Sequence, residues 1–202
     1  MSAGGPPLAP CFLRGNYVEL HPLGPPHGEQ LAEAIAVNDL WRLALADLPA
    51  PHGMSQYIAE ALAQQSAGRT LPFAIIDRST GRAVGSTRFL NYEPAHRRIE
   101  IGATWLGTPW QRTAFNTEAK LLLLTHAFER LRLNRVEFKT DVLNTRSRKA
   151  ILRLGASEEG VLRRHMVMRD GRVRDSVYFS ILAEEWPSVR QRLERMLVPG
   201  QS

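Results

Sequence analysis

The chain of 202 residues contains a single cysteine, Cys11. That excludes a disulfide framework within the chain and any metal site built from several thiolates. Its six histidines are scattered without a His-x-x-x-His spacing, so nothing in the sequence calls for a metal. No apolar run approaches the roughly 20 residues that cross a bilayer, and no membrane partner is expected. Residues 1–10 hold no basic segment ahead of an apolar one, so they do not read as a secretory signal, and a cytoplasmic location is expected. Internal repeats and a mid-chain linker are missing as well. One domain is therefore expected over residues 15–202, behind a flexible tail rich in Pro and Gly at residues 1–14.

Lysine is also scarce, three residues against 23 arginines. The net charge of +6 is unevenly spread. Residues 1–96 carry six arginines and eight acidic residues, a balance of −2; residues 97–202 carry 17 arginines and three lysines against 12 acidic residues, a balance of +8. A basic half can serve nucleic acid. Here the arginines lack the aromatic interleaving of a nucleic-acid groove, so that partner is not expected, and a solvated Arg-rich surface accounts for most of them.

The most informative stretch present is 98–131. Residues 98–106 alternate as a strand does, with Ile99, Ile101, Ala103 and Trp105 on one face and Glu100, Gly102 and Thr104 on the other. Gly107 and Pro109 stop it. Residues 117–131 contain neither Gly nor Pro. Their apolar residues fall on two sides, which predicts a helix buried between a sheet and a second layer. A strand, a polar turn and a helix start aim free amide N–H groups and the positive end of the helix dipole at one spot, a geometry that favours phosphate. Elsewhere the pattern predicts strands at 17–20, 71–77, 83–92 and 135–140. Helices are expected within 28–46 and over 54–67, a further helix is capped by Asn144 and stopped by Gly155, a hairpin joins 161–168 to 173–182, and a last helix covers 186–197. Pattern alone gives an α+β chain with a mainly antiparallel sheet.

The run Gln111-Arg112-Thr113-Ala114-Phe115-Asn116 resembles the pyrophosphate loop of GNAT-fold acyltransferases, Q/R-x-x-G-x-G/A. The longer run from Trp110 through Leu121 is similar to the RimJ/RimL-like branch, the protein N-acetyltransferases. Asn144-Thr145-Arg146-Ser147, followed by a helix ending Leu154-Gly155-Ala156, resembles the second signature of the family, Asn-x-x-Ser. The resemblance covers roughly residues 15–187 and implies the GNAT fold, a mixed and mainly antiparallel central sheet flanked by helices. Ala114 and Asn116 depart from it, standing where the family has small residues, usually Gly. Glu118, expected in the first helical turn, suits the dipole but repels a pyrophosphate.

What the resemblance implies is an N-acetyltransferase that takes acetyl-CoA as co-substrate, needs no metal, and acetylates a primary amine by direct attack in a ternary complex. The expected acceptor is a protein or peptide N-terminus. A small amine (amino acid, polyamine or aminoglycoside) is the alternative, and a non-catalytic module binding CoA or nucleic acid is another. The amides of residues 112–117, with the Arg112 side chain, would hold the pyrophosphate, making Gln111, Arg112, Thr113, Ala114, Phe115, Asn116 and Thr117 the loop set. Thr104, Trp105 and Leu106 would pair with the pantetheine arm and Asn144 would contact it. Arg146, Lys149 and Arg153 share a helix face by spacing and could reach the 3′-phosphate. An α-amine with an ordinary pKa costs about 1 kcal/mol to deprotonate at pH 7 and a lysine about 4.6 kcal/mol, so a carboxylate base meets the first demand more readily. Glu100 is the candidate base, with Asp141 and His96 in reserve; an ion pair with Arg97, Arg98 or Arg88 is its competing role. Ser147 is the candidate acid for the leaving thiolate, with Tyr178 in reserve. Trp41 and Tyr57 are either acceptor contacts or core aromatics. The final hairpin has apolar residues on both faces, so a homodimer is expected.

Overall fold

The computed structural model describes residues 6–42, 48–68 and 70–198. Its strands are β1 (Leu13–Arg14), β2 (Val18–Pro22), β3 (Leu71–Asp77), β4 (Arg82–Glu93), β5 (Arg98–Leu106), β6 (Arg135–Asp141), β7 (Ser157–Val167) and β8 (Val173–Leu182). The α-helices are α1 (Gly28–Ala36), α2 (Met54–Ser66), α3 (Ala114–Thr125), α4 (Thr145–Leu154) and α5 (Trp186–Leu197). The strands form one sheet in the order β1-β2-β3-β4-β5-β6-β8-β7. Every pairing is antiparallel except β5 with β6. This is the mixed, mainly antiparallel sheet that the sequence predicts. Part of the region expected to be helical within 28–46, residues 43–47, lies outside the described residues.

Each face of the sheet buries a helix pair. Leu123 and Leu124 of α3, with Ala127 and Phe128 of the π-helical turn His126–Arg130 that continues it, pack between the sheet (Phe73, Phe89, Ile99, Phe179) and Trp186, Val189 and Leu193 of α5. The buried, two-sided helix of the sequence thus has α5 as its second layer. On the opposite face Leu31 and Ile35 of α1 and Met54, Ile58 and Ala61 of α2 cover Ala74, Ile76 and Ala83. That cluster draws nothing from β6, β7 or β8. Over those strands the same face is polar, carrying Glu137, Lys139 and Asp141 from β6 and Ser176, Tyr178 and Ser180 from β8.

Two irregularities in β5 shape everything near the site. First, Ser86 opposes Trp105 and Arg88 opposes Gly102, so Thr87 faces both Ala103 and Thr104. Ala103 takes a left-handed φ of 46°. This is a β-bulge, and it corrects the face assignment drawn from strict alternation. Ile99 and Ile101 face α3, but after the extra residue Thr104 and Leu106 take over that side and Trp105 turns to the α1–α2 side. Second, the parallel ladder to β6 lasts three residues only: Arg98 with Arg135, Ile99 with Val136 and Glu100 with Glu137. Beyond Glu100 the two strands diverge, and the β6-side edge of residues 101–106 has no ladder partner among the described residues.

The loose tail expected at 1–14 is corrected for residues 6–14; residues 1–5 lie outside the described residues. Leu8, Cys11 and Leu13 pack against the core, because these three side chains find apolar surface at the sheet edge. Leu13 and Arg14 pair with Leu20 and Glu19, and the Tyr92 hydroxyl donates to the Pro6 carbonyl at 2.6 Å. Glu118 locks the turn that follows. Its buried carboxylate accepts the backbone N–H groups of Asn16, Tyr17 and Val18 at 2.6–2.7 Å. A Cβ at Gly15 would sit 2.4 Å from that carboxyl carbon, which explains the glycine.

Candidate active site

The fork between β5 and β6 has a helix start on each side. α3 begins at Ala114, with Thr113 as N-cap: its Oγ1 accepts from the Phe115 N–H at 3.3 Å and donates to the Trp110 carbonyl at 2.7 Å. The left-handed residue of the loop is Arg112, φ 61°. Ala114 and Asn116 both lie inside the helix, so neither departure from the glycine pattern meets a backbone demand that only glycine satisfies. The first helical residue being 114, the amides without an intrahelical partner are those of Thr113, Ala114, Phe115 and Asn116. Thr117 falls past them. It is buried, and its hydroxyl accepts from Arg153 at 3.2 Å. Glu118 likewise lies in the second turn, turned away towards residues 16–18, so the expected repulsion of a phosphate at the helix start does not arise from it.

α4 starts beside this loop. Asn144 caps it, accepting from the Ser147 N–H at 2.9 Å. Gln111 ties three elements together: its amide donates to the Leu106 carbonyl at 2.6 Å and accepts from Arg146 at 2.5 Å. The Arg146–Lys149–Arg153 stripe does face the loop and α3, through Arg146 to Gln111 and Arg153 to Thr117, while Lys149 is exposed. Ser147 is half-buried in the first turn.

Glu100 is the last residue of the short parallel ladder, so its side chain stands at the vertex of the fork, on the polar face. It is 3 % exposed. Its Oε2 accepts from Asn91 at 2.9 Å and lies 3.6 Å from the Lys139 ammonium. The ion pair expected with Arg97, Arg98 or Arg88 is not the one formed: Arg98 bridges Glu93 and Glu137 instead. Gly102 keeps the space beside the carboxylate open, since a Cβ there would come within 3.0 Å of both Glu100 Oε1 and Leu90. Tyr178, opposite Lys139 in the ladder, shares this face, and burial and the negative charge of Glu100 push its phenol up. Of the aromatic candidates, Trp41 is half-buried against the α1–α2 cluster. The hydroxyl of Tyr57 accepts from Trp105 Nε1 at 3.4 Å, and its ring lies under the Arg88 guanidinium at 4.5 Å. The reserve bases fare differently. Asp141 is committed to the Leu143 N–H and to Arg172, and His96 is exposed at the β4–β5 turn, four residues before Glu100 at the closed end of the fork.

Two residues here escaped the sequence reading. Lys120 of α3 is 6 % exposed beneath the bulge, its ammonium 2.5 Å from Thr104 Oγ1 and 3.4 Å from Thr87 Oγ1, with those hydroxyls 2.7 Å apart. Burial without a carboxylate lowers its pKa to about 7. Lys139 is the other. The available signal was composition: lysine is rare in this chain, and two of its three lysines are these, the third being the exposed Lys149.

The family described as "Acetyltransferase (GNAT) domain" matches residues 18–157. The chain is 36% identical over 106 residues to "Putative ribosomal N-acetyltransferase YdaF" of Bacillus subtilis (strain 168), a match spanning 52% of this chain and 57% of that protein's length. It is 31% identical over 140 residues to "Uncharacterized N-acetyltransferase p20" of Bacillus licheniformis, covering 69% of this chain and 76% of that one. Among solved structures, a GCN5-related N-acetyltransferase from Brucella melitensis superposes with a TM-score of 0.89 at 31% identity, over 97% of this chain and 89% of the other. Mycobacterium smegmatis RimJ, solved in complex with CoA-disulfide, gives 0.74 at 27% identity over 92% of each chain. Fold, loop and sequence agree: the chain belongs to the GNAT acetyltransferases, which are acetyl-CoA-dependent acyltransferases, and within them to the RimJ/RimL-like branch.

Proposed function

We propose that the protein transfers the acetyl group of acetyl-CoA to the α-amine of a protein or peptide N-terminus. The observation that carries this is the position of Glu100, a buried carboxylate at the vertex where β5 leaves β6. Acetyl-CoA fits the surroundings. The unpaired edge of residues 101–106 offers backbone groups to the amide-bearing pantetheine, and the amides of residues 113–116 with Arg112 suit the pyrophosphate. Arg146 and Lys149 flank that loop and suit the 3′-phosphate. In the transfer the amine nitrogen bonds to the thioester carbonyl carbon and the C–S bond breaks. The proton lost by the amine goes to Glu100, through water where the reach requires it. Strand N–H groups at the Ala103–Thr104 bulge supply donors for the developing oxyanion. The thiolate takes its proton from Ser147; Tyr178, also near the vertex, is the competing donor.

The α-amine is favoured over a lysine because one carboxylate has to offset about 1 kcal/mol of deprotonation there and about 4.6 kcal/mol for lysine. The test is an acceptor panel with thiol release as the readout: peptides with free and blocked N-termini, lysine peptides, polyamines and an aminoglycoside. Transfer confined to free N-termini is expected; a small amine outperforming every peptide overturns the acceptor, and no calorimetric binding of acetyl-CoA at millimolar ligand overturns the activity.

The assembly proposed with this activity is a homodimer through β7. That strand ends the sheet, and Val161, Leu162, Met166 and Val167 on it are exposed while α5 covers the α3 side of β8. Light scattering should give twice the 22.7 kDa chain mass; one chain mass, unchanged by acetyl-CoA, overturns it.

A further inference from the structure

Six buried side-chain polar atoms lack a hydrogen-bond partner among the described residues: Gln65 Oε1, Arg88 Nε, His165 Nδ1, Arg172 Nε, Arg174 Nε and Ser176 Oγ. Five of them belong to the polar side of the sheet. Arg88 opposes Gly102, two residues from Glu100 on the same face. Ser176 opposes Asp141, and Arg174 lies one more pleat along β8. Arg172 donates to Asp141 at 2.6 Å, and the His165 ring contacts that of Tyr178 at 5.7 Å. Three of the five are guanidinium N–H donors. Buried polar groups are ordinarily satisfied, so a cluster of unmet donors on one face marks where an acceptor-rich group binds.

The charges agree. On this face Arg98 and Arg135 are held by Glu93, Glu137 and Glu159, which leaves Arg88, Lys139, Arg172 and Arg174 against Glu100 and Asp141. Lys139 is near Glu100 and Arg172 is on Asp141. Arg88 has no carboxylate partner among the described residues; Arg174 forms no close ion pair there, although Asp141 and Glu100 act on its charge. Arg88 is 7 % exposed, and its contacts are the Tyr57 ring and a 3.4 Å hydrogen bond to Gln64. A guanidinium buried to this degree without an anion is costly, and the cost falls when an anion arrives.

We propose that this face is an anion subsite for the acceptor: the substrate carries a carboxylate one or two residues from its reacting amine, and Arg88 and Arg174 receive it. The spacing follows from the strand. Glu100 and Gly102 are about 7 Å apart along β5, with Arg88 beside Gly102. An amine held at Glu100 therefore has the Arg88 guanidinium within the span of one dipeptide; Arg174 starts three pleats along β8 from Ser180 and comes close enough for Glu100 and Asp141 to act on its charge. The forked donors of arginine match a carboxylate in two parallel hydrogen bonds. The carboxylate can be an acidic side chain near a peptide N-terminus or the carboxylate of a free amino acid. The inference rests on Glu100 marking the amine.

The experiment measures kcat/KM by thiol release for matched acceptors: peptides with Asp or Asn at the second position, and free amino acids against their amides. The acidic member of a pair should be favoured roughly tenfold to a hundredfold, the range of a charge-assisted hydrogen bond. An Asp-over-Asn preference assigns the site to a side chain, and an amino acid over its amide assigns it to a free carboxylate. In Arg174→Met that ratio should fall towards one, with KM for acetyl-CoA moving less than twofold. Arg88→Met should do the same, and a melting curve shows whether this more buried variant folds; Arg174→Met decides alone if it does not. Equal kcat/KM within both pairs, or a preference that survives Arg174→Met, overturns the subsite while leaving acetyl transfer standing. Transfer to no amine at all overturns the parent reading and the subsite together.

Discussion

The two sides of the sheet at β5 handle buried charge in opposite ways. On the α3 side Lys120 lies under the bulge with hydroxyl partners only, its ammonium destabilised by burial and held near neutrality. The nearby carboxylate of that helix, Glu118, is spent on three backbone amides of the β1–β2 turn. That side is closed, and its polar atoms serve one another. On the other side Glu100 stands among cations, and five buried polar atoms have no partner among the described residues. A scaffold satisfies its own groups; a site leaves groups for a substrate to satisfy.

The sharpest test of that contrast is Glu100→Gln. If Glu100 is the base, kcat/KM should fall about 10²- to 10⁴-fold with acetyl-CoA affinity retained. The loss should shrink as pH rises past the pKa of the amine, which then needs no base; a pH-independent loss would assign Glu100 to structure. Next comes Lys120→Met. The folded pKa of Lys120, about 7, lies below its ordinary value of 10.5, so between those values the unfolded chain binds more protons. The group therefore makes wild-type stability rise with pH across that window, by up to about 1.4 kcal/mol per pH unit, and its full cost is felt below pH 7. The variant should lack this rise, so denaturation at pH 7 and pH 10 should give a larger increase for wild type; parallel curves would show that Lys120 titrates normally.

Gly102→Val should have a smaller effect, with a readable direction. The added carbons meet Glu100 Oε1 and Leu90, and overpacking costs about 1–3 kcal/mol. The acceptor KM should rise more than that for acetyl-CoA, because the intrusion is on the polar face; equal changes would place Gly102 outside the acceptor path. Tyr57→Phe should do least. It keeps the ring under Arg88 and removes a hydroxyl whose hydrogen bonds are both 3.4 Å, for about 1 kcal/mol or less of stability and little change in acceptor kinetics. A large kinetic loss would make the Tyr57 hydroxyl a substrate contact.

Local rules fixed by sequence alone went far here. A short apolar run placed β3 and an alternating one β5 to the residue, and the residue preferences of helix ends placed α4 between Asn144 and Gly155. The loop motif located the strand-turn-helix, but the helix expected from Thr117 begins three residues earlier, at Ala114. These features depend on neighbours along the chain, which sequence displays directly. The bulge did not show, because the extra residue appears only in the pairing of β5 with β4, and an alanine at that position signals no left-handed conformation. That single inserted residue moved Thr104 to Lys120 and turned Trp105 to the other face. The partners of Glu100 were equally out of reach: Lys139 meets it only through a parallel ladder of three residues. Which helix residues still offer a free amide depended on where α3 begins, and that removed Thr117 from the loop set. The sequence determined most of the elements, the family and the place of the loop that resembles its pyrophosphate motif. Only the tertiary structure decided which charges are satisfied, because burial and pairing across strands join residues that are remote in the chain.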